Sequence, residues 1–145
     1  MRAKSVSVTL LFLSIAACAS TTGNGEQMVE LRTNRSSYHL GQNGKVTLTN
    51  QGPGAVYGEL GCRLTVQYDS NGTWGDAGNL PNSACTLEGR SIPVLAAGAS
   101  MEQEFAIVGS EFGPLGGKFR FYITVVDAAS GDPFGVASPP FTVAP

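Results

Sequence analysis

The chain contains a single histidine, His39, in 145 residues. Histidine-based metal sites and catalytic triads need further ligands or partners, which one histidine cannot supply. The sequence also lacks a Gly-x-Ser-x-Gly elbow and a glycine-rich loop that ends in Lys-Ser or Lys-Thr, two motifs of hydrolases and phosphate-binding proteins. We therefore expect no catalytic residue, no metal site and no cofactor, and we expect that the protein is not an enzyme.

The carboxylates form neither a catalytic nor a calcium-binding pattern. No EF-hand spacing is present, and turn chemistry accounts for the four aspartates that lie near predicted turns, namely Asp69, Asp76, Asp127 and Asp132. Glu102 and Glu104 share one face of a predicted strand. Paired carboxylates can act as acid and base, but on an outward strand face they are usually only solvated.

The chain also has only a small excess of charge of one sign. Nine Lys and Arg residues stand against eleven Asp and Glu residues, which gives a net charge of −2. The charges are scattered and form no basic stripe, so we expect no nucleic-acid partner and no electrostatic docking on a membrane.

The chain has no long hydrophobic run. The apolar stretch from Val6 to Ala17 is shorter than the roughly 20 residues that a membrane-spanning helix needs. It follows a basic start with Arg2 and Lys4, as in an export signal. Two alternatives are open: a plain secretory signal that is cleaved near Ala17, with Cys18 incidental, or a lipoprotein signal in which Cys18 receives the lipid.

The residues Ile15-Ala16-Ala17-Cys18 resemble a bacterial lipobox. This resemblance implies a cleaved lipoprotein signal peptide over 1–17 and a Cys18 that carries diacylglycerol and an acyl chain such as palmitate. Two or three acyl chains anchor a protein firmly in a membrane, and the small, polar segment 18–27 would be a flexible tether. Residue 19 is Ala rather than the Asp that resembles an inner-membrane retention signal. This favours the outer membrane, on its periplasmic or surface face, if the source is Gram-negative.

The remaining segment, 28–145, is predicted to be one all-β domain. Nineteen glycines and eight prolines are typical of a turn-rich β protein, and no convincing helix is present. Apolar and polar residues alternate in about seven or eight short segments, the pattern of half-buried strands. The strongest alternation, in Lys118–Val126, predicts the central strand of one sheet. The last strand, Phe134–Val143, shifts its parity across Pro139-Pro140, as a kink would produce.

The inward positions of these strands predict the hydrophobic core. It should contain Val46, Leu48, Leu64, Val66, Phe105, Ile107, Phe119, Phe121, Ile123 and Val125. Cys62 and Tyr68 share the parity of Leu64 and Val66, so we expect a strand that starts at Cys62.

The order of strands resembles an immunoglobulin-like or fibronectin-III-like antiparallel β-sandwich. The segment 114–121, Pro-Leu-Gly-Gly-Lys-Phe-Arg-Phe, resembles the opening of the penultimate strand in such bacterial domains. A weaker resemblance is to the BsuPI-type proteinase inhibitor domain. It rests on Tyr38 before a strand, Asn50 at its end, the Asp69…Gly72…Trp74 segment, and Ala97-Gly98 before a strand.

Two cysteines other than Cys18 fall in the domain, Cys62 and Cys85. In an exported domain such a pair predicts a disulfide. A zinc site would need two more ligands.

Residues 73–89 show no periodicity and are predicted to be a long loop, pinned by that disulfide. Trp74 and Asp76 make this the candidate binding loop. Trp74 either caps one end of the sandwich and shields the cross-link, or anchors a peptide, glycan or protein.

Taken together, these features predict a lipoprotein of the cell envelope that displays a non-enzymatic binding or scaffolding domain for an unknown protein or glycan ligand. The alternative is a proteinase-inhibitor-like domain of the BsuPI type.

Overall fold

A computed structural model describes residues 28–79, 91–108, 112–113 and 116–145. The predicted signal peptide over 1–17, the tether over 18–27 with Cys18, and Cys85 lie outside the described residues. No helix within the described ranges is long and apolar enough to cross a membrane.

The described chain forms an all-β, immunoglobulin-like sandwich, which confirms the predicted fold class. It contains eleven strands and one helical turn: β1 (Val29–Thr33), β2 (Ser37–His39), β3 (Asn43–Asn50), β4 (Val56–Tyr57), α1 (Leu60–Arg63), β5 (Thr65–Ser70), β6 (Thr73–Asn79), β7 (Val94–Leu95), β8 (Ser100–Ala106), β9 (Gly117–Asp127), β10 (Pro133–Ala137) and β11 (Phe141–Ala144). The smaller sheet has the order β1-β3-β8, and the larger sheet contains the other strands. The strand count exceeds the predicted seven or eight because several strands are only two or three residues long.

Strand β9 is the centre of the larger sheet, as its alternation predicts. One of its edges pairs with β5 and β4, and the other pairs with β10 and β11. The split between β10 and β11 falls at Ser138-Pro139-Pro140, where neither proline can donate to the ladder. Ser138 closes the gap because its backbone N–H donates to Phe121 O at 2.9 Å and its Oγ accepts from Phe121 N at 3.0 Å. The predicted parity shift at the two prolines is therefore confirmed.

One strand pair departs from the antiparallel expectation. Strand β2 runs parallel to β11, with Tyr38 opposite Val143. The sequence places Tyr38 before a strand rather than within one. Its segment pairs instead because the buried Tyr38 ring packs edge-on against Phe105 and Phe141, both at 5.5 Å between ring centroids.

All ten predicted core residues are buried between the two sheets. They share the core with an aromatic cluster that alternation alone did not single out, made of Tyr38, Phe112 and Phe141 together with the predicted Phe105, Phe119 and Phe121. Tyr68 shares the inward parity but is 43% exposed.

The predicted strand from Cys62 is wrong at its start. Residues 60–63 form the helical turn α1, and the strand β5 begins only at Thr65. Cys62 therefore lies outside the strand, and the parity that it was expected to share with Leu64 and Val66 does not apply. The Cys62–Cys85 disulfide itself stays a prediction, because Cys85 lies outside the described residues.

Candidate binding face on the larger sheet

A tight hairpin places Trp74 and Asp76. Strands β5 and β6 are joined by the two residues Asn71 and Gly72, whose φ angles are +55° and +87°. Two-residue hairpin loops of type I′ need positive φ at both positions, and Asn-Gly is their preferred sequence. The Gly72 backbone N–H also donates to Asp69 Oδ1 at 2.6 Å, which secures the turn.

The predicted loop over 73–89 is therefore wrong for its first part, since Thr73–Asn79 is strand β6; residues 80–89 lie outside the described ranges. The strand escaped detection because its core-side positions carry the small residues Gly75 and Ala77 rather than large apolar ones. At Gly75 the ring of Tyr68 fills the space, and a Cβ there would lie 3.0 Å from Tyr68 Cε1.

Trp74 and Asp76 lie on the outer face of the larger sheet. Arg120 faces outward because its neighbours Phe119 and Phe121 are buried. Gln67 pairs with Arg120 on one side and with Asp76 on the other, so all three share this outer face. Trp74 is thus on the outer face of the sheet rather than over the end of the core. We call the set of Gln67, Asp69, Trp74, Asp76, Lys118 and Arg120 the Trp74 face.

A chain of hydrogen bonds crosses three strands of the Trp74 face. Arg120 Nε donates to Gln67 Oε1 at 2.8 Å, and Gln67 Nε2 donates to Asp76 Oδ1 at 2.9 Å. The Arg120 guanidinium lies 4.3 Å from the centroid of the partly exposed Trp74 ring, within the range of a cation–π contact. Partial burial lowers the pKa of Arg120, and the nearby Tyr122 opposes this shift. The hydrogen bond to Gln67 and the contact with the Trp74 ring therefore hold Arg120 in place on two sides.

A second cation lies beside the same ring. Lys118 Nζ is 5.7 Å from the Trp74 ring centroid and forms an ion pair with Asp69 Oδ2 at 3.0 Å. The Lys118 hydrogen bond, followed by that from Gly72, lowers the pKa of Asp69 below its ordinary value of 3.8. The turn and the cation together thus keep Asp69 ionised.

This pair predicts a local pH dependence. Because the folded-state pKa of Asp69 is depressed, its contribution to stability is present above about pH 4 and is lost as the pH falls through the folded-state pKa. We expect Lys118→Ala to raise the pKa of Asp69 toward 3.8, measured by NMR titration of its carboxyl carbon. Lys45→Ala, which removes a lysine from the smaller sheet, should leave that pKa unchanged. An Asp69 pKa that does not move in Lys118→Ala contradicts the assignment.

The far end of the same outer face carries an apolar row. Val94 pairs with Tyr57, Tyr57 with Val126, and Val126 with Pro133, across four adjacent strands. Val94 is 58% exposed and Tyr57 is 37% exposed. The outer face therefore combines a polar, aromatic end with an accessible apolar end.

The other predicted polar residues lie elsewhere. Glu102 is on the outer face of the smaller sheet and pairs with Lys45 at 3.0 Å, while Glu104 and His39 are exposed. Among the residues that the structure describes, no three His, Cys, Asp or Glu side chains converge into a metal-binding group.

Sequence reasoning did not identify Gln67, Lys118 and Arg120 as site residues. One available signal was Asn71-Gly72 between two short runs, which predicts a hairpin. A hairpin would have placed Trp74 and Asp76 beside the outward residues of β5.

Comparison with solved structures finds distant likenesses. The structural-genomics target SoR45 aligns at 16% identity and a TM-score of 0.49, over 85% of this chain and 89% of that one. The Pseudomonas fluorescens alkylpurine DNA glycosylase AlkC aligns at 17% identity and a TM-score of 0.42, over 83% of this chain and 31% of that one. A PapD-like domain of human CEP192 aligns at 12% identity and a TM-score of 0.36, over 88% and 95%. No protein-family model and no curated protein sequence matches the chain. At these identities and TM-scores the likenesses carry no information about function.

Proposed function

We propose that the protein is an exported, lipid-anchored binding module of the cell envelope that has no enzymatic activity. The anchor half of the proposal rests on the lipobox-like Ile15-Ala16-Ala17-Cys18. We place the lipid on Cys18 and the protein on the periplasmic or surface face of an outer membrane, for a Gram-negative source.

The observation that carries the binding half is the Trp74 face. It presents a partly exposed tryptophan beside a restrained arginine on a rigid sheet. Tryptophan and arginine are the residues most enriched at binding hot spots. A rigid sandwich that carries a recognition surface is also a common arrangement among binding domains.

The alternative is a proteinase-inhibitor-like domain of the BsuPI type. Three of the residues that carry this resemblance, Tyr38, Asn50 and Gly98, have a partner inside the fold. Tyr38 Oη donates to Asn34 Oδ1 at 2.8 Å, Asn50 bonds to the backbone of its own turn, and Gly98 N donates to Asn50 O at 2.8 Å. These contacts explain the shared residues as determinants of the fold, which favours the binding module. Protease activity that stays unchanged at a stoichiometric amount of protein would remove the inhibitor alternative.

Lipidation of Cys18 is the prediction that tests the anchor. We expect the intact mass of the protein from the membrane fraction to correspond to a chain that begins at Cys18 and carries acyl groups. Cys18→Ser should abolish both the acyl groups and the lipoprotein-type cleavage, because the thiol is the site of attachment. Cys62→Ser is the matched control and should retain the lipid. An unmodified mature chain that begins at another residue contradicts the anchor.

A further inference from the structure

The guanidinium of Arg120 has hydrogen-bond donors that have no acceptor among the described residues. Its Nε is bonded to Gln67, but none of the described residues accepts a hydrogen bond from its two terminal nitrogens. The indole Nε1 of Trp74 likewise has no acceptor within the described ranges. Arg120 and Trp74 are both partly buried, so these donors are only partly compensated by water.

The neighbouring carboxylates do not neutralise this group directly. Asp69 forms an ion pair with Lys118 and accepts a hydrogen bond from the Gly72 backbone N–H. Asp76 Oδ1 accepts a hydrogen bond from Gln67 Nε2. The hydrogen bond to Gln67 and the cation–π contact with Trp74 restrain the guanidinium of Arg120, so less side-chain freedom remains to be lost on binding. A restrained, planar guanidinium matches a carboxylate, because the carboxylate can accept two parallel N–H···O hydrogen bonds from it.

We propose that the Trp74 face binds the carboxylate of a uronic acid unit in an acidic glycan. The carboxylate pairs with the terminal nitrogens of Arg120. The sugar ring lies against the exposed part of the Trp74 indole, whose negative ring face attracts polarised C–H groups. A ring hydroxyl donates to Asp76 Oδ2, which accepts no hydrogen bond from the residues that the structure describes. This assignment rests on the proposed function as a binding module and names its ligand class.

The position of the site favours a glycan over a peptide. An extended peptide gains main-chain hydrogen bonds by adding to a sheet edge. Arg120, which pairs with the carboxylate, lies on β9, and β9 has partners on both edges. Trp74 and Asp76 lie on β6, which pairs only with β5 among the described strands, and they contribute side chains to the proposed contact. The Trp74 face therefore offers side-chain donors and an aromatic ring, but its central strand β9 has no unpaired edge to which a peptide strand could add. Flat polar and aromatic side chains suit sugar hydroxyls and sugar rings.

Trp74 is the only tryptophan in the chain, so its fluorescence reports directly on this site. The experiment titrates the full chain carrying Cys18→Ser with short oligogalacturonates and oligoglucuronates, and in parallel with their methyl esters. We expect saturable changes in fluorescence with the acids and at least about 10-fold weaker binding of the esters, which keep the sugar but lose the charge. Added salt should weaken binding of the acids more than that of the esters.

Variants of Arg120 test the role of its planar guanidinium. Arg120→Ala should weaken binding of the acids about 10-fold or more, and Arg120→Lys, which keeps the charge without the planar guanidinium, should restore only part of it. Lys45→Ala on the smaller sheet is the matched control and should bind like the parent chain. Circular dichroism checks that each variant is folded, and the comparison of acid with ester on the parent chain stands even if Arg120→Ala fails to fold.

Three results would overturn the inference: no change in fluorescence with either acid, equal binding of acids and esters, or equal binding of a glutamate-rich peptide. Each of them leaves the intact mass at Cys18 and the envelope cross-links described below unaffected. Failure of the ligand class is therefore distinguishable from failure of the proposed function.

Discussion

Replacing Phe121 with alanine is expected to lower the free energy of unfolding by about 3–5 kcal/mol, the usual range for a buried phenylalanine. Phe121 is fully buried on the central strand β9. Its ring meets Phe105 edge-on at 4.8 Å and lies 5.1 Å from Phe141. Truncation would leave a cavity between the two sheets and remove both ring contacts, and neighbours that are themselves tightly packed can fill it only in part.

Chemical denaturation followed by circular dichroism measures this loss. The matched control is Thr124→Ala, three residues along the same strand, where the side chain is exposed. We expect that change to cost about 1 kcal/mol or less, as outward positions do. Equal losses for Phe121→Ala and Thr124→Ala would show that the register of β9 is wrong.

Replacing Asn50 with alanine is expected to cost about 3 kcal/mol or more, since each buried partner left unsatisfied costs roughly 1–3 kcal/mol. Asn50 is a fully buried polar residue at the end of β3. Its Nδ2 donates to Gly54 O at 2.7 Å and to Leu95 O at 3.1 Å. Its Oδ1 accepts from Gly52 N at 3.0 Å. One side chain therefore holds the turn after β3 and ties it to β7.

Two further variants separate the hydrogen bonds from the burial. Asn50→Asp keeps the shape but loses both donors and buries a charge, so it should destabilise at least as much as alanine. Gln51→Ala, at the exposed neighbouring position, should cost about 0.5 kcal/mol or less. Urea denaturation of the three variants measures the loss in the free energy of unfolding for each. An Asn50→Ala protein as stable as Gln51→Ala contradicts the role of this side chain in the turn.

The strands that were predictable are those with one buried face. Alternation in β9 and β3 reports directly which side chains enter the core, because a strand with one face in water must alternate. The two prolines after Ser138 likewise marked the break between β10 and β11. Strand β6 shows the opposite case. Gly75 lies under Tyr68 and Ala77 is small, so no large apolar residue signals the inward side of β6.

The Trp74 face could not be predicted from local sequence because its contacts join distant residues. Gln67 and Arg120 are 53 positions apart and meet only through the pairing of β5 with β9. The turn at Asn71-Gly72 is a local signal, but it fixes only the hairpin. Similarly, the helical turn at Cys62 depends on packing of Leu60 into the core, which a four-residue pattern cannot reveal.

We propose that the anchored protein uses the Trp74 face to bind a component of its envelope. Site-specific photo-crosslinking in intact cells tests it most directly, with the photoreactive residue at Thr124, on the same outer face of the larger sheet as the Trp74 face, or at Glu104 on the smaller sheet. We predict a cross-linked envelope protein or glycan from position 124, its loss in Trp74→Ala, and no such product from position 104. Equal products from both positions, or a product from 124 that persists in Trp74→Ala, would contradict the claim.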